Sequence, residues 1–490
     1  MLPKTRDLLE RLNDAGVRYC HWKSNWNLAS TLEGETDLDL LIHRRDAGRF
    51  RALLRDLGFG PAIEAGVPAL PAVEHYHALD ETSDDIAHVH AYYRVITGES
   101  LAKNYHFPVE EMLLTHTRRE GLVTLPSAGA ELIVFVLRML VKHTTPIELG
   151  LFLRDTDAFR REVAWLMTPT ARDEALALLP VWLPQIDASL FVAGCEALQR
   201  PAPITRRIAL GMRVRARLRT LTRHHPTRAR VSEVGKFTTR TSHRLAGTKK
   251  KLAPGSGGLV IAFVGPEASG KSTVLAEVQR WLGAHYTVRR VHAGKPPATP
   301  VTAVPHVLLP LLRGLAPNQR STRVMAGATT AVGDEAASTD SHPLAFAVRC
   351  VMLAYERRAV LARAFARASN GAVVLCDRYP SSTPGAPDGA QLDARPRADD
   401  PLRRWLCALE RRLYADIPAP DLVLQLTAPL DVTLARNAAR TKTEPEPYVR
   451  WRHTLADSVA FDRAPVHKVS TDRDIDQVIS DVKQAIWDAL

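Results

Sequence analysis

Apolar positions along the chain change period several times, and each change marks an element. Residues 5–15 carry apolar side chains at helical spacing and stop at Gly16, and residues 17–20 read as a short strand. The stretch 37–42 alternates, and a helix with Phe50, Leu53, Leu54 and Leu57 on one face follows, closed by Gly58. Alternation returns over 86–97, which predicts a single strand. From about 128 to 200 the period is helical, with Leu132, Val136, Leu137 and Leu140 in one stripe and Pro180, Pro184 and Pro201 as punctuation. Residues 259–264 are six successive apolar positions rich in β-branched types, which predicts a buried strand. Val274, Leu275, Val278, Trp281 and Leu282 then trace a helix up to Gly283. Strands are predicted again at 286–292, 372–376, 422–426 and 466–470, with helical stretches between them, including 345–368 and a closing helix through Ile475, Val478, Ile479, Val482 and Ile486. Strands alternating with helices predict an α/β fold with a parallel sheet flanked by helices in this half.

Between the strand 259–264 and its helix stands Gly265-Pro266-Glu267-Ala268-Ser269-Gly270-Lys271-Ser272-Thr273, which fits G-x-x-x-x-G-K-[ST]. Phosphate oxygens need several backbone N–H groups aimed at one point, and Gly265 and Gly270 permit the tight curl. The helix start adds unpaired N–H groups and a positive dipole end. Lys271 supplies a full charge at the β- and γ-phosphates, and the Ser272 hydroxyl can sit on Mg²⁺. The strand 372–376 ends in Asp377, where ligands bind in open α/β sheets, so Asp377 is expected to order Mg²⁺. Arg378 is placed to take a phosphate bidentately. Arg436 and Arg440 lie four apart on one helix.

In the first part of the chain, Asp37 and Asp39 are two apart on a strand, so both carboxylates point to one face, an arrangement suited to Mg²⁺. The alternative is a pair of solvated strand-edge carboxylates. His88 and His90 share a face and are either metal ligands or structural. Arg138 and Lys142, at i and i+4, either reach toward a phosphate or form a solvated face.

Composition narrows the classes. A chain of 490 residues needs two to four domains, and 46% apolar with 24% charged residues is ordinary for globular proteins. The net charge of +12 is concentrated: over 204–252, eleven Arg and four Lys against Glu233 give +14, which leaves −2 for the rest. That segment is either a solvated linker or a grip for nucleic acid or an anionic surface. Five scattered cysteines without C-x-x-C argue against a disulfide framework and fit a reducing cytosol. The N-terminal stretch reads as a charged amphipathic helix, not a secretory signal, and the most apolar run, 132–141, is short and broken by Arg138, so no transmembrane segment is expected and the location is expected to be cytoplasmic. The oligomeric state is left open, a dimer being one arrangement.

Two resemblances follow from these motifs. Lys23-Ser24, twelve residues, then Asp37-Leu38-Asp39-Leu40 is similar to the nucleotidyltransferase pattern over residues 5–125. It implies Asp37 and Asp39 as metal holders, with Lys23 and Ser24 facing a triphosphate; the third carboxylate expected on a later strand is replaced by His88 and His90. Residues 258–490 resemble thymidylate kinase and its relatives, through the loop 263–273, the helix with Arg357, Asp377-Arg378-Tyr379, residues 420–424 and Arg436 with Arg440. By that resemblance Lys271, Ser272 and the loop hold ATP and Mg²⁺, and Glu267 lies near the acceptor. Arg357 or Arg358 grips the acceptor phosphate with Arg378, beside Tyr379, and Arg436 and Arg440 close on the transferring group.

Gly294-Lys295-Pro296 and the run from Pro380 to Gly389, with Asp388, depart from that family, so ATP use is implied more firmly than dTMP as acceptor. The implied activity is phosphoryl transfer to a nucleoside monophosphate or another small phosphorylated acceptor. The alternatives are a sugar or sugar-phosphate kinase of surface polysaccharide synthesis and an enzyme modifying nucleic-acid ends. The expected organisation is a nucleotidyltransferase-like α+β domain (1–125), a helical subdomain (126–203), a basic linker (204–257) and the kinase-like domain (258–490).

Overall fold

The structure is a computed structural model. It describes residues 1–64, 70–98, 103–143, 148, 156–199, 204–224, 251–300, 302, 344–386, 388–392, 400–441, 443–456 and 458–490. The chain divides into two compact units, Met1–Lys250 and Lys251–Leu490. The division falls ahead of the expected border at 257/258 because Lys251 is already tied into the second unit: its backbone N–H donates to Thr287 Oγ1 at 2.9 Å and its ammonium to the carbonyl of Ala284 at 2.8 Å.

In the first unit Tyr19–His21 runs antiparallel to Leu38–Ile42, which is parallel to Ile86–Tyr92; Val73–Leu79 and Gly60–Glu64 continue the sheet antiparallel. Strand alternation gives this sheet two unlike faces. Leu38, Leu40, Ile42, Ala87, Val89 and Ala91 pack with Leu8, Leu9 and Leu12 of the helix Pro3–Asp14 and with Phe50 and Leu54 of Ala47–Asp56. Leu41 and Tyr92 belong to the other core, with the helix Ala128–Lys142 and its neighbours. The α+β part and the helical part therefore share a core. Ala128–Lys142 is buried on almost every side, not in one stripe, because Pro169–Trp182, Ala188–Gln199 and Ile204–Arg217 surround it. Pro180 does not end its helix; it sits in the last turns of Pro169–Trp182. The expected strand 86–97 is two, Ile86–Tyr92 and Val95–Thr97. The start of the basic segment is helical (Ile204–Arg217, then a short turn at Arg219–Leu221); residues 225–250, and nearly all of the Pro- and Thr-rich stretch 298–341, lie outside the described residues.

The second unit is a five-stranded parallel sheet ordered Val288–His292, Val373–Asp377, Val260–Val264, Leu422–Thr427, Val466–Ser470. The strand leading to the glycine loop is thus central, with every residue buried, which its unbroken apolar run foretells. Leu344–Ser369, Lys271–His285 and Ile475–Ala489 are its principal flanking helices. Among the described residues no helix is long and apolar enough to cross a membrane.

Candidate functional site

The loop after Val260–Val264 has the geometry of an anion cradle. Gly265 has φ +144°, and a Cβ there would lie 2.2 Å from the Leu426 carbonyl oxygen, so only glycine fits. Gly270, at φ +83°, caps the helix Lys271–His285; Ala268 takes φ +60°, a left-handed conformation at a non-glycine residue. Among the described residues, the successive backbone N–H groups of Glu267, Ala268, Ser269, Gly270, Lys271 and Ser272 find no protein acceptor, whereas Thr273 and Val274 already donate to the Gly270 carbonyl at 3.1 Å.

Lys271 is 8% exposed and donates to the Gly265 carbonyl at 3.1 Å and to the Pro266 carbonyl. Burial pulls its pKa down to about 8. The Ser272 hydroxyl and the Asp377 carboxylate are hard oxygen donors, and Asp377 ends the strand paired beside the one leading to the loop, so the residues present fit Mg²⁺. Asp377 also accepts from His292 Nδ1 at 3.0 Å and Arg290 at 3.4 Å, two partners that the motif does not signal.

Beside the loop lies a net of two carboxylates and three guanidinium groups. Arg378, at φ +69°, hydrogen-bonds the Glu267 carboxylate and lies 3.5 Å from Asp388 Oδ2. Arg452 lies 3.4 Å from Asp388 and 3.8 Å from Glu267. Burial would raise both carboxyl pKa values, but Arg378, Arg452 and Lys271 outweigh it, so Glu267 and Asp388 are held below their ordinary values. Gly294 belongs to the same packing, since a Cβ there would fall 2.4 Å from Arg378 Cδ.

Arg357 is 2% exposed, and each of its five N–H donors has a protein acceptor: the carbonyls of Ala293 (3.1 Å), Asp388 (3.0 Å) and Gly294 (3.3 Å), the Tyr414 hydroxyl (2.7 Å) and Asp388 Oδ1 (3.1 Å). Arg358 turns elsewhere and pairs with Asp416 at 3.2 Å. Tyr379 is buried and its hydroxyl donates to the Pro418 carbonyl. Arg436 holds Thr471, at 3.1 Å to the hydroxyl and 2.9 Å to the carbonyl, while Arg440 is exposed. The structure thus brings together Glu267, Lys271, Arg378 and Arg357, and adds Arg452 and Asp388. Sequence reasoning assigned no role to those two because nothing in their local pattern announces a shared ion pair.

In the first unit the register sets Asp39 opposite His90, and His75 and His77 opposite His90 and His88. Asp37 meets His88 at 2.7 Å, and Asp39 meets His90 at 3.1 Å and the Lys23 ammonium at 3.0 Å. Lys23 also donates to the Tyr92 hydroxyl at 2.9 Å. Burial opposes the Lys23 charge, but Asp39 outweighs it and the ammonium is held above its ordinary pKa; the Asp39 carboxyl, opposed likewise by burial, is held well below by Lys23 and His90.

These residues do not fit the metal expected at Asp37 and Asp39. Lys23 already stands as the cation at Asp39, and among the described residues no group of three or more His, Cys, Asp or Glu could hold a metal ion. Lys23, expected to face a triphosphate, is engaged by this ion pair. Asp37, Asp39 and Ser24 line a cavity of about 660 Å³ with Trp26, Lys142 and Phe159. Lys142 faces this cavity, and Arg138 pairs with Glu162 at 3.5 Å, so neither forms a solvated face.

No family model matches the chain, and no curated protein does. Among solved structures it is matched by the thymidylate kinase from Ehrlichia chaffeensis, with 16% identity over 47% of this chain and 98% of that one, at a TM-score of 0.25. A second match is the deoxyadenosine kinase from M. mycoides with bound dATP, with 13% identity over 46% of this chain and 99% of that one, at a TM-score of 0.27.

Proposed function

We propose that residues 251–490 form an ATP-dependent phosphotransferase acting on a small acceptor. The observation that carries this reading is the row of backbone N–H groups from Glu267 to Ser272 that lack protein acceptors, curled around a buried ammonium and opening a helix. Such a row favours a polyphosphate, because each N–H is already oriented and the helix dipole has the right sign. The strand order reverses at this loop, with Val373–Asp377 on one side and Leu422–Thr427 on the other, the position where open parallel sheets bind ligands.

Phosphoryl transfer requires alignment and positive charge on the equatorial oxygens, with little covalent participation by protein. Lys271 would neutralise charge at the β- and γ-phosphates, and the loop N–H groups would fix the chain of phosphates in line with the acceptor. Ser272 and Asp377 would hold Mg²⁺, which when bound would supply charge neutralisation to the phosphates. Arg378 and Arg452 would orient the acceptor beside the loop. Arg357 acts one layer behind, locking the 293–294 turn and Asp388 in place.

The thymidylate-kinase resemblance brings a nucleoside monophosphate, dTMP among them, as one acceptor class; sugars or sugar phosphates are the alternative. Equilibrium binding of labelled ATP to the full chain, followed by ADP release across an acceptor panel, tests the proposal. Retention of ATP by the wild type and its loss in Lys271→Met are expected; a wild type that retains no ATP would end the reading.

A further inference from the structure

Resting on that kinase reading, we infer that His292 is a positioning residue for the divalent cation: its Nδ1–H holds Asp377 by one carboxylate oxygen and leaves the other to serve Mg²⁺. The strand register sets the two residues level. His292 ends the edge strand Val288–His292 and lies opposite Asp377, the last residue of the neighbouring parallel strand. Arg290, two positions earlier, shares the face of His292, while Val291 between them packs into the core on the other face with Val374 and Cys376. Both donors meet a single oxygen, His292 Nδ1 at 3.0 Å and Arg290 at 3.4 Å from Asp377 Oδ2. Among the described residues Asp377 Oδ1 has no protein partner.

A carboxylate free at both oxygens turns about its Cβ–Cγ bond, and a cation has to order it on arrival. One oxygen held by donors presents the other in a set direction beforehand, which is the service that outer partners render to metal-binding groups. The place is right for that service, because Asp377 is close enough to the Lys271 ammonium for its charge to act there. Of the two donors Arg290 is the lesser, its contact being long for a hydrogen bond. The imidazole orientation is fixed by chemistry and by packing. Nδ1 must carry the shared proton, since an ionised carboxylate can only accept. On the other edge of the ring, a Cβ at Gly294 would lie 3.3 Å from Nε2, so the ring rests against the turn that follows its own strand.

That turn does not depend on the imidazole. The Ala293 N–H donates to the Asp377 carbonyl at 3.0 Å, and the carbonyls of Ala293 and Gly294 receive Arg357 at 3.1 and 3.3 Å. The His292 side chain is nearly half exposed, so removing it opens no core cavity and takes away only the orienting donor. An exposed pair of this kind adds little to stability, and its effect is therefore to be read at the metal and not in unfolding.

The test measures ATP binding to the full chain by calorimetry, first without metal and then across a Mg²⁺ titration. The wild type is expected to bind ATP more tightly as Mg²⁺ is added. His292→Ala should raise the Mg²⁺ concentration that gives half of this gain by about 10–100-fold, the range for lost outer partners of metal ligands, and leave metal-free ATP binding unchanged. His292→Asn, whose amide N–H can stand where Nδ1–H stands, should recover most of the loss. A double-mutant cycle separates positioning from a general structural role: in the Asp377→Ala protein, His292→Ala should change the Mg²⁺ requirement no further. An unchanged requirement in His292→Ala, or an effect that persists undiminished in the Asp377→Ala background, overturns the inference. A wild type that binds ATP without any gain from Mg²⁺ also overturns it, while leaving the nucleotide loop standing. A wild type that retains no ATP under either condition brings down the kinase reading instead, and that is seen before any variant is tested.

Discussion

Lys271 follows the glycine loop and Lys23 the strand Tyr19–His21, both are buried or nearly so, and both are candidates for a phosphate by sequence. They have met opposite fates. Around Lys271 the nearest acceptors are main-chain carbonyls and the neighbouring N–H groups have no protein partner, so burial dominates and the pKa falls to about 8. Around Lys23 a carboxylate stands at 3.0 Å and a phenol at 2.9 Å, and its pKa rises. A cation in low dielectric whose nearby carboxylates do not outweigh its burial is destabilised in a way that a ligand can relieve; a cation already paired gains little from a ligand. On the proposed reading, the difference separates the lysine poised for a ligand from the one already paired.

The largest effect should come from breaking the satisfied pair. Lys23→Met leaves Asp39, 13% exposed, without its ammonium partner and with only neutral-prone histidines beside it, and removing one partner of a buried pair costs about 3–5 kcal/mol of stability. Chemical denaturation of the full chain, followed by a probe in the first unit, should show the loss, and Lys23→Met/Asp39→Asn should recover most of it. ATP retention should be unchanged. A Lys23→Met protein of wild-type stability would mean the pair does not carry the charge balance assigned to it.

Next in size is Lys271→Met. It removes one preorganised charge from the phosphates and should lower turnover by about 10²–10³-fold, an effect read as ADP release with the most active acceptor. Because the wild-type lysine is held at a cost when free, the same change should leave the stability of the nucleotide-free protein equal or raised. That pairing of outcomes, activity lost and stability kept, is the reverse of what Lys23→Met should give.

Much of this was legible beforehand and some was not, for a common reason. The strand 259–264, its loop and the helix after it could be read because three local signals coincide: an apolar run, two glycines at fixed spacing and an amphipathic repeat. Asp37 and Asp39 could be placed on one face from strand period alone, and they lie on the face with His88 and His90. What neighbours each charge is decided by residues far along the chain. Arg452 reaches Glu267 from 185 positions away in sequence, Asp388 is joined to it through Arg378 and Arg452 from 121 away, and His75 reaches His90 through the strand register. Arg357 stands in the sequence only as one of two candidates, with Arg358, for the acceptor phosphate; its five acceptors come from four separate residues, which no periodicity encodes. The strand 86–97 breaks at Tyr93 and Arg94 because the Tyr93 hydroxyl and the Val95 N–H are drawn to Glu74 and Glu110, partners outside the segment.

The smallest expected effect is a pH dependence, and it sharpens the comparison most directly. In the free protein Lys271 loses its proton near pH 8; bound polyphosphate would hold the proton on, so its pKa in the complex lies higher. Between those two values binding takes up a proton, and affinity must fall as pH rises, by at most about tenfold per pH unit. Below about pH 8 the lysine is charged in both states and its contribution is flat. Titration of ATP binding from pH 7 to 9.5 should therefore show a plateau and then a decline. Lys271→Arg, whose guanidinium stays protonated throughout, should remove the decline even if it weakens binding overall. The Lys23→Met/Asp39→Asn protein should keep it, since the Lys23 ammonium is held charged across the whole range and exchanges no proton with nucleotide. A decline that survives Lys271→Arg would place the titrating group elsewhere and remove the contrast between the two lysines.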